Sequence, residues 1–165
     1  VLVFYYKIAC LYFGAGESAK AIDYLNKIIN WKLNLRDDLQ CYARLLHLIA
    51  HYELGNMEVV NYLSKSVYRF MGKMDNLSTV EEILFNFLKK SIQKYGRAGV
   101  AGMNKEELKQ AFEDLLILLR PLQQNKLESR AFMYLDIISW LESRIQEKEV
   151  QSIIREKFIA KKSPL

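Results

Sequence analysis

Proline and glycine are scarce, at 2 and 7 of 165 residues, too few for the succession of tight turns that a β-sandwich or barrel requires. Cysteine is scarce and unpatterned. Cys10 and Cys41 sit in apolar helical stretches with no CxxC and no Cys/His spacing, so they read as buried reduced thiols, and that usage points to a cytoplasmic setting. No stretch reaches the roughly 18 uninterrupted apolar residues of a membrane span, which leaves the membrane out as a partner. The apolar start Val1-Leu-Val-Phe-Tyr-Tyr is broken at Lys7, too early for a secretory signal. It also lacks an initiator Met and an N-cap, so the chain reads as the C-terminal part of a longer protein.

Catalytic signatures are missing as well. There is no Gly-x-Ser-x-Gly elbow, no cysteine with a histidine at motif spacing, and no phosphate loop, because the Gly99-Val-Ala-Gly102 stretch lacks a following Lys-Ser/Thr. The two histidines, His47 and His51, stand at i, i+4 on one helical face, a spacing that can hold zinc. Leu48 takes the place of the metalloprotease glutamate, and no third ligand is evident. Carboxylate pairs at Asp37-Asp38, Glu81-Glu82 and Glu106-Glu107 fall in first helical turns, where the helix dipole accounts for them. The expectation is therefore a protein that is not an enzyme, with no metal and no cofactor.

What the chain does have is apolar mass: 51% of residues are apolar and 26% charged, with a mean hydropathy of −0.07. At this length a single core buries roughly two thirds of the unfolded surface. The 24 Lys and Arg against 19 Asp and Glu give a net charge of +5, spread along the chain rather than gathered on one face, which does not favour nucleic acid as a partner.

Apolar residues recur at helical spacing throughout. A first helix covers Val1 to Phe13, and Ser18 is expected to cap a second that runs to about Lys32. A loop at Asn34 to Asp38 leads into a third helix ending at Gly55-Asn56. A fourth runs from Met57 to about Gly72, and Ser78 with Glu81 forms a capping box for a fifth up to Tyr95. Gly96, Gly99 and Gly102 make the next connection the most flexible. Asn104 caps a sixth helix ending near Arg120-Pro121, a seventh spans about Leu127 to Ile145, and an eighth runs from Glu149 to about Lys161.

The stretches beginning Gly16-Glu-Ser-Ala and Gly55-Asn-Met-Glu each continue into Tyr-Leu-polar-Lys, 38 to 39 residues apart. Ala9, Tyr12, Gly16 and Ala21 stand at the spacing of the tetratricopeptide repeat, and over its first 73 residues the chain resembles that family. The second copy is degenerate, with Val59 or Val60 at the alanine, His51 at the aromatic, and a period longer than the usual 34 or so residues. Arg36-Asp-Asp-Leu, His51-Tyr-Glu-Leu-Gly-Asn, Val67-Tyr-Arg-Phe70 and Ile138-Ser-Trp-Leu-Glu-Ser further resemble the C-terminal part of a family of bacterial tetratricopeptide-like proteins common in Bacteroidetes. The resemblance implies a fold and a cytoplasmic setting, and brings no activity.

The expected architecture is an all-α, right-handed α-α superhelix of about seven or eight helices. Two tetratricopeptide-like hairpins occupy 1–73. Further hairpins and a capping helix occupy 74–165, continuous with them. The resemblance implies a concave groove lined by Tyr6, Cys10 and Phe13 from the first copy and Tyr42, Leu45, Ile49 and Tyr52 from the second, binding a protein or peptide. Tyrosine suits that role, but later helices curling inward would bury the same side chains. The alternative partner is nucleic acid or an acidic ligand on a basic strip of Lys65, Arg69, Lys73, Lys89, Lys90, Lys94 and Arg97. The uncovered first helix, with Val1 to Tyr6 on display, is expected to drive self-association.

Overall fold

A computed structural model describes residues 1–32 and 36–163. Of the loop expected at Asn34 to Asp38, residues 34 and 35 lie outside them, Arg36 is the N-cap of α3, and Asp37 and Asp38 already belong to that helix. Among the described residues the regular elements are all helical: α1 (Leu2–Gly14), α2 (Ser18–Ile29), α3 (Asp37–Glu53), α4 (Met57–Gly72), α5 (Thr79–Tyr95), α6 (Lys105–Leu119), α7 (Ser129–Tyr134), α8 (Ile137–Ile145) and α9 (Val150–Lys162). Two short 3-10 segments, Gly96–Gly102 and Arg120–Gln124, join α5 to α6 and follow α6.

Local chemistry sets most of these boundaries. Ser78 and Asn104 each close a capping box, with Glu81 and Glu107 returning a carboxylate to the cap's own backbone N–H. Pro121 has no N–H to continue α6, which tightens into the 3-10 turn. Several boundaries differ from expectation, and α2 ends at Ile29 rather than near Lys32. Glu17, not Ser18, is the N-cap of α2, and it offers no side-chain cap. The stretch read as a seventh helix is two helices. Leu135 adopts an extended conformation (φ −134°, ψ 110°), and the Asp136 carboxylate accepts from Ser139 N at 3.1 Å to start α8 afresh.

Helices pack chiefly on their neighbours in the chain, as in a helical-repeat arrangement. The turns of the first two hairpins are built alike. Gly16 N donates to Phe13 O and Glu17 N to Tyr12 O, while Gly55 N donates to Tyr52 O and Asn56 N to His51 O, a uniform offset of 39. Both glycines have positive φ, 81° and 73°, which a residue with a Cβ adopts at a cost. This offset pairs Ala21 with Val60, both buried, whereas Val59 faces outward. It also separates the two Tyr-Leu pairs: Leu25 is buried and its counterpart is Ser64, while Tyr62 is 70% exposed. One residue of slippage turns a helical side chain by about 100°, so this part of the sequence match lies out of structural register.

The chain then departs from a plain stack of hairpins. α8 packs on α6 and α9, Tyr134 at the end of α7 and Trp140 of α8 reach back to α1 and α3, and α9 meets the end of α1, where Gly14 faces Ile154. α3 becomes the central helix. Every residue from Leu39 to Ala50 is buried except the half-buried Arg44. Leu46 is fully enclosed and Ile117 on α6 is 68% exposed. Leu46→Ala should therefore lower stability to urea by about 2–5 kcal/mol, and Ile117→Ala should stay within about 0.5 kcal/mol of the parent. Equal effects would contradict the central placement of α3.

Candidate functional site

The seven residues expected to line a concave groove are brought together on one side of α1 and α3, and that side is filled. Tyr6, Phe13, Tyr42, Leu45 and Ile49 are buried, and Cys10 and Tyr52 half-buried. The filling comes from α7 and α8. Because α7 ends at Tyr134, the carbonyl of that residue has no helical partner. The Tyr6 hydroxyl donates to it at 2.7 Å, and the Cys10 thiol lies 3.8 Å from the same oxygen. The Tyr134 ring lies flat on Tyr42, 5.4 Å between centroids and 2° between planes. One turn into α8, Trp140 meets Tyr52 edge-on at 5.7 Å, and its Nε1 donates to Glu53 at 2.6 Å. Leu45 and Ile49 border a partly open apolar pocket of about 60 Å³ shared with Phe112 and Trp140.

Burial also sets the chemistry of these groups. The Tyr6 phenol is held well above its ordinary pKa, chiefly by burial, and the Cys10 and Cys41 thiols are pushed up to about 11 and about 12 by the same cause. Neither cysteine is a thiolate at neutral pH, so neither is an activated nucleophile. The carboxylate pairs act as helix-end groups: Asp38 forms a two-pronged pair with Arg36 at 2.8 and 2.9 Å, and Glu81 is buried in its capping box. Glu128 adds a third carboxylate at the same end of α5, accepting from Thr79 N and Val80 N.

The histidines stack edge to face, 4.6 Å between ring centroids. His51 Nδ1 is 3.1 Å from the Asn56 amide nitrogen. Among the described residues, no group of three or more His, Cys, Asp or Glu converges to hold an ion. No helix there is long and apolar enough to cross a membrane.

The basic residues divide. Lys65 is half-buried and Arg69 and Lys73 are exposed along α4, while the Arg97 side chain lies outside the described part. Lys89, Lys90 and Lys94 are exposed on α5, and Lys90 and Lys94 edge a groove of about 750 Å³ between α5 and α6. Its other wall carries Glu106, Glu107 and Asp114, and Lys94 reaches Glu107 at 3.7 Å. Cations and anions thus share this site, which is open, whereas the aromatic one is closed.

Sequence reasoning did not single out Phe112, Tyr134 or Trp140. The available signal was Asp136, an N-cap residue directly before Ile137-Ile138, which marks a new helix start and hence a turn of the chain at Tyr134. Comparison with protein-family models, curated proteins and solved structures finds no match to the chain, so its helical-repeat character rests on the packing described above.

Two outcomes follow from these contacts. Tyr6→Phe should cost about 1–3 kcal/mol by leaving the Tyr134 carbonyl without its donor, while Tyr62→Phe at an exposed site should be neutral in the same denaturation assay. Burial, with lesser contributions from His51 and Arg44, pulls the His47 pKa from 6.5 to about 4. The unfolded chain therefore binds this proton first. Stability should fall as pH drops from about 6.5 to about 4 and level off below, by up to about 3 kcal/mol from this residue. His47→Gln should flatten that part of a urea-midpoint profile against pH, and an unchanged slope would refute the assignment.

Proposed function

We propose that this chain is a protein-interaction module of the helical-repeat kind, a right-handed tetratricopeptide-like superhelix that works by binding rather than by chemistry. The observation that carries the reading is where large apolar side chains remain outside. Along α1, Val1, Phe4 and Leu11 are 72, 71 and 74% exposed, with half-buried Ile8 between them. Their spacing of i, i+3, i+7 and i+10 makes one continuous stripe. The opposite face of α1 carries Tyr6, Ala9 and Phe13 into the core. A stripe left on a helix whose packing face is already satisfied is the kind of surface that marks a protein contact. A second copy of the chain and a different protein are both occupants it could take.

The closed aromatic side supports placing contacts on the outside. A ligand on Tyr6, Tyr42 and Tyr52 would first have to displace Tyr134 and Trp140. The basic-strip alternative draws on the exposed lysines of α5, but Glu106, Glu107 and Asp114 opposite them repel a polyanion.

The wild-type chain should self-associate with concentration in light scattering, or retain a discrete protein from host extract after nuclease treatment and at high salt. Phe4→Glu with Leu11→Glu, checked for helicity, should lose both properties. Material released by nuclease or by salt would replace this reading with anion binding, and a monomer that retains nothing would remove it.

A further inference from the structure

α5 and α6 are consecutive helices joined by Gly96–Gly102, yet they touch only sparsely, and the groove of about 750 Å³ lies between them. The reason is in the side chains. Phe87, which lines the groove, and Phe112 stack at 6.3 Å, so the two helices meet there through large side chains. The Lys94–Glu107 contact and Tyr95 close one end, near the 3-10 connection. From Ile83 to Lys94 the α5 wall runs about 17 Å, close to three helical turns.

The floor is apolar and the edges are charged with opposite sign. Ile83, Phe87, Met103, Ala111, Leu115 and Leu118 form the floor, and Leu118 is 58% exposed. Lys90 and Lys94 stand on the α5 edge. Lys94 and Glu107 face each other across the groove, and Glu107 is also committed to its capping box. This leaves Lys90 on the α5 edge, and Glu106 with the exposed Asp114 on the α6 edge, as the charges facing outward. Asp114 accepts from Gln110 Nε2 at 2.9 Å.

We infer that the groove between α5 and α6 is a docking site for an amphipathic helix of about three turns from a partner protein, apolar along the buried stripe, acidic along one edge and basic along the other. This rests on the interaction-module reading and assigns it a place and a partner chemistry. Apolar side chains at i, i+4 and i+7 cover the floor. A flat charged ligand leaves that floor wet, and a helix acidic on both edges meets repulsion from Glu106 and Asp114. The mixed-edge helix satisfies both walls, so charge here selects the partner more than it strengthens the contact.

The test uses stapled helical peptides that share one leucine stripe and carry Glu on both edges, Lys on both edges, or one of each, titrated by fluorescence anisotropy at low salt. Wild-type chain should bind the mixed peptide about tenfold more tightly than either uniform one. Lys90→Glu with Lys94→Glu, both exposed, should shift preference to the peptide with Lys on both edges. Leu118→Glu should weaken all three by about tenfold or more. Binding that ignores the edge charges or survives Leu118→Glu overturns the assignment, as does the absence of peptide binding. A concentration-dependent dimer abolished by Leu118→Glu also overturns it, by seating a second copy in the groove. If the peptides fail while the α1-dependent association persists, the groove assignment falls and the module reading stands; if both fail, both fall.

Discussion

The burial of α3 around most of its circumference, with Arg44 alone half-buried between Leu39 and Ala50, is the constraint from which the remaining arrangement follows. A helix with apolar side chains around most of its circumference cannot leave a face in water, and each large side chain it buries contributes about 1.5–3 kcal/mol. α2 and α4 cover two of its sides, as in any stack of hairpins, and the inner side remains. α7 and α8 close it with Tyr134 on Tyr42 and Trp140 on Tyr52. Some of the polar groups on α3 find partners on other helices, while Gln40 Oε1, Arg44 Nε and His47 Nε2 are buried without a hydrogen-bond partner. Gln40 Nε2 donates to the Ile28 carbonyl at 2.7 Å, satisfying the end of α2, and Glu53 accepts from Trp140 with Arg144 3.2 Å away.

Closing the inner side has a consequence for binding. A helical-repeat protein usually offers a partner its concave face, and here the side of α1 and α3 that carries the aromatic rings is packed against Tyr134 and Trp140 of α7 and α8. Aromatic rings that would anchor a peptide anchor α7 and α8 instead, by the same edge-on and stacked contacts. Large apolar side chains stay exposed along the outer stripe of α1, and a groove runs between α5 and α6; these are the surfaces on which the proposed interactions fall. These two differ in character. The α1 stripe is almost uncharged, with Lys7 its one charged neighbour, whereas the α5–α6 groove has charged edges of both signs.

Much of the local structure was legible in the sequence because it is decided by groups within four residues of one another. Capping boxes at Ser78 and Asn104, glycine stops at Gly16 and Gly55, and the proline end of α6 each need only neighbours in the chain. The all-α class follows from the same short-range patterns. The break at Leu135 was obscured because Leu127 to Ile145 keeps enough apolar periodicity to pass for one helix, and the Asp136 cap is a single residue against that trend. The one-residue slippage between the glycine and Tyr-Leu parts of the repeat was visible in the sequence, but which part keeps the helical register is settled by the turns, which fix an offset of 39.

The candidate site shows where such inference stops. By itself the sequence determined that helices exist, roughly where they end, and that α1 and α3 carry aromatic side chains at the spacing of a helical-repeat groove. Only the tertiary structure decided that those side chains face the protein's own interior. Tyr6 and its acceptor at Tyr134 are 128 residues apart, and a contact of that range is set by the summed directions of every helix between them. Each of those directions depends on packing that no local pattern encodes, so the same aromatic stripe is compatible with an open groove or a closed core until the whole chain is folded.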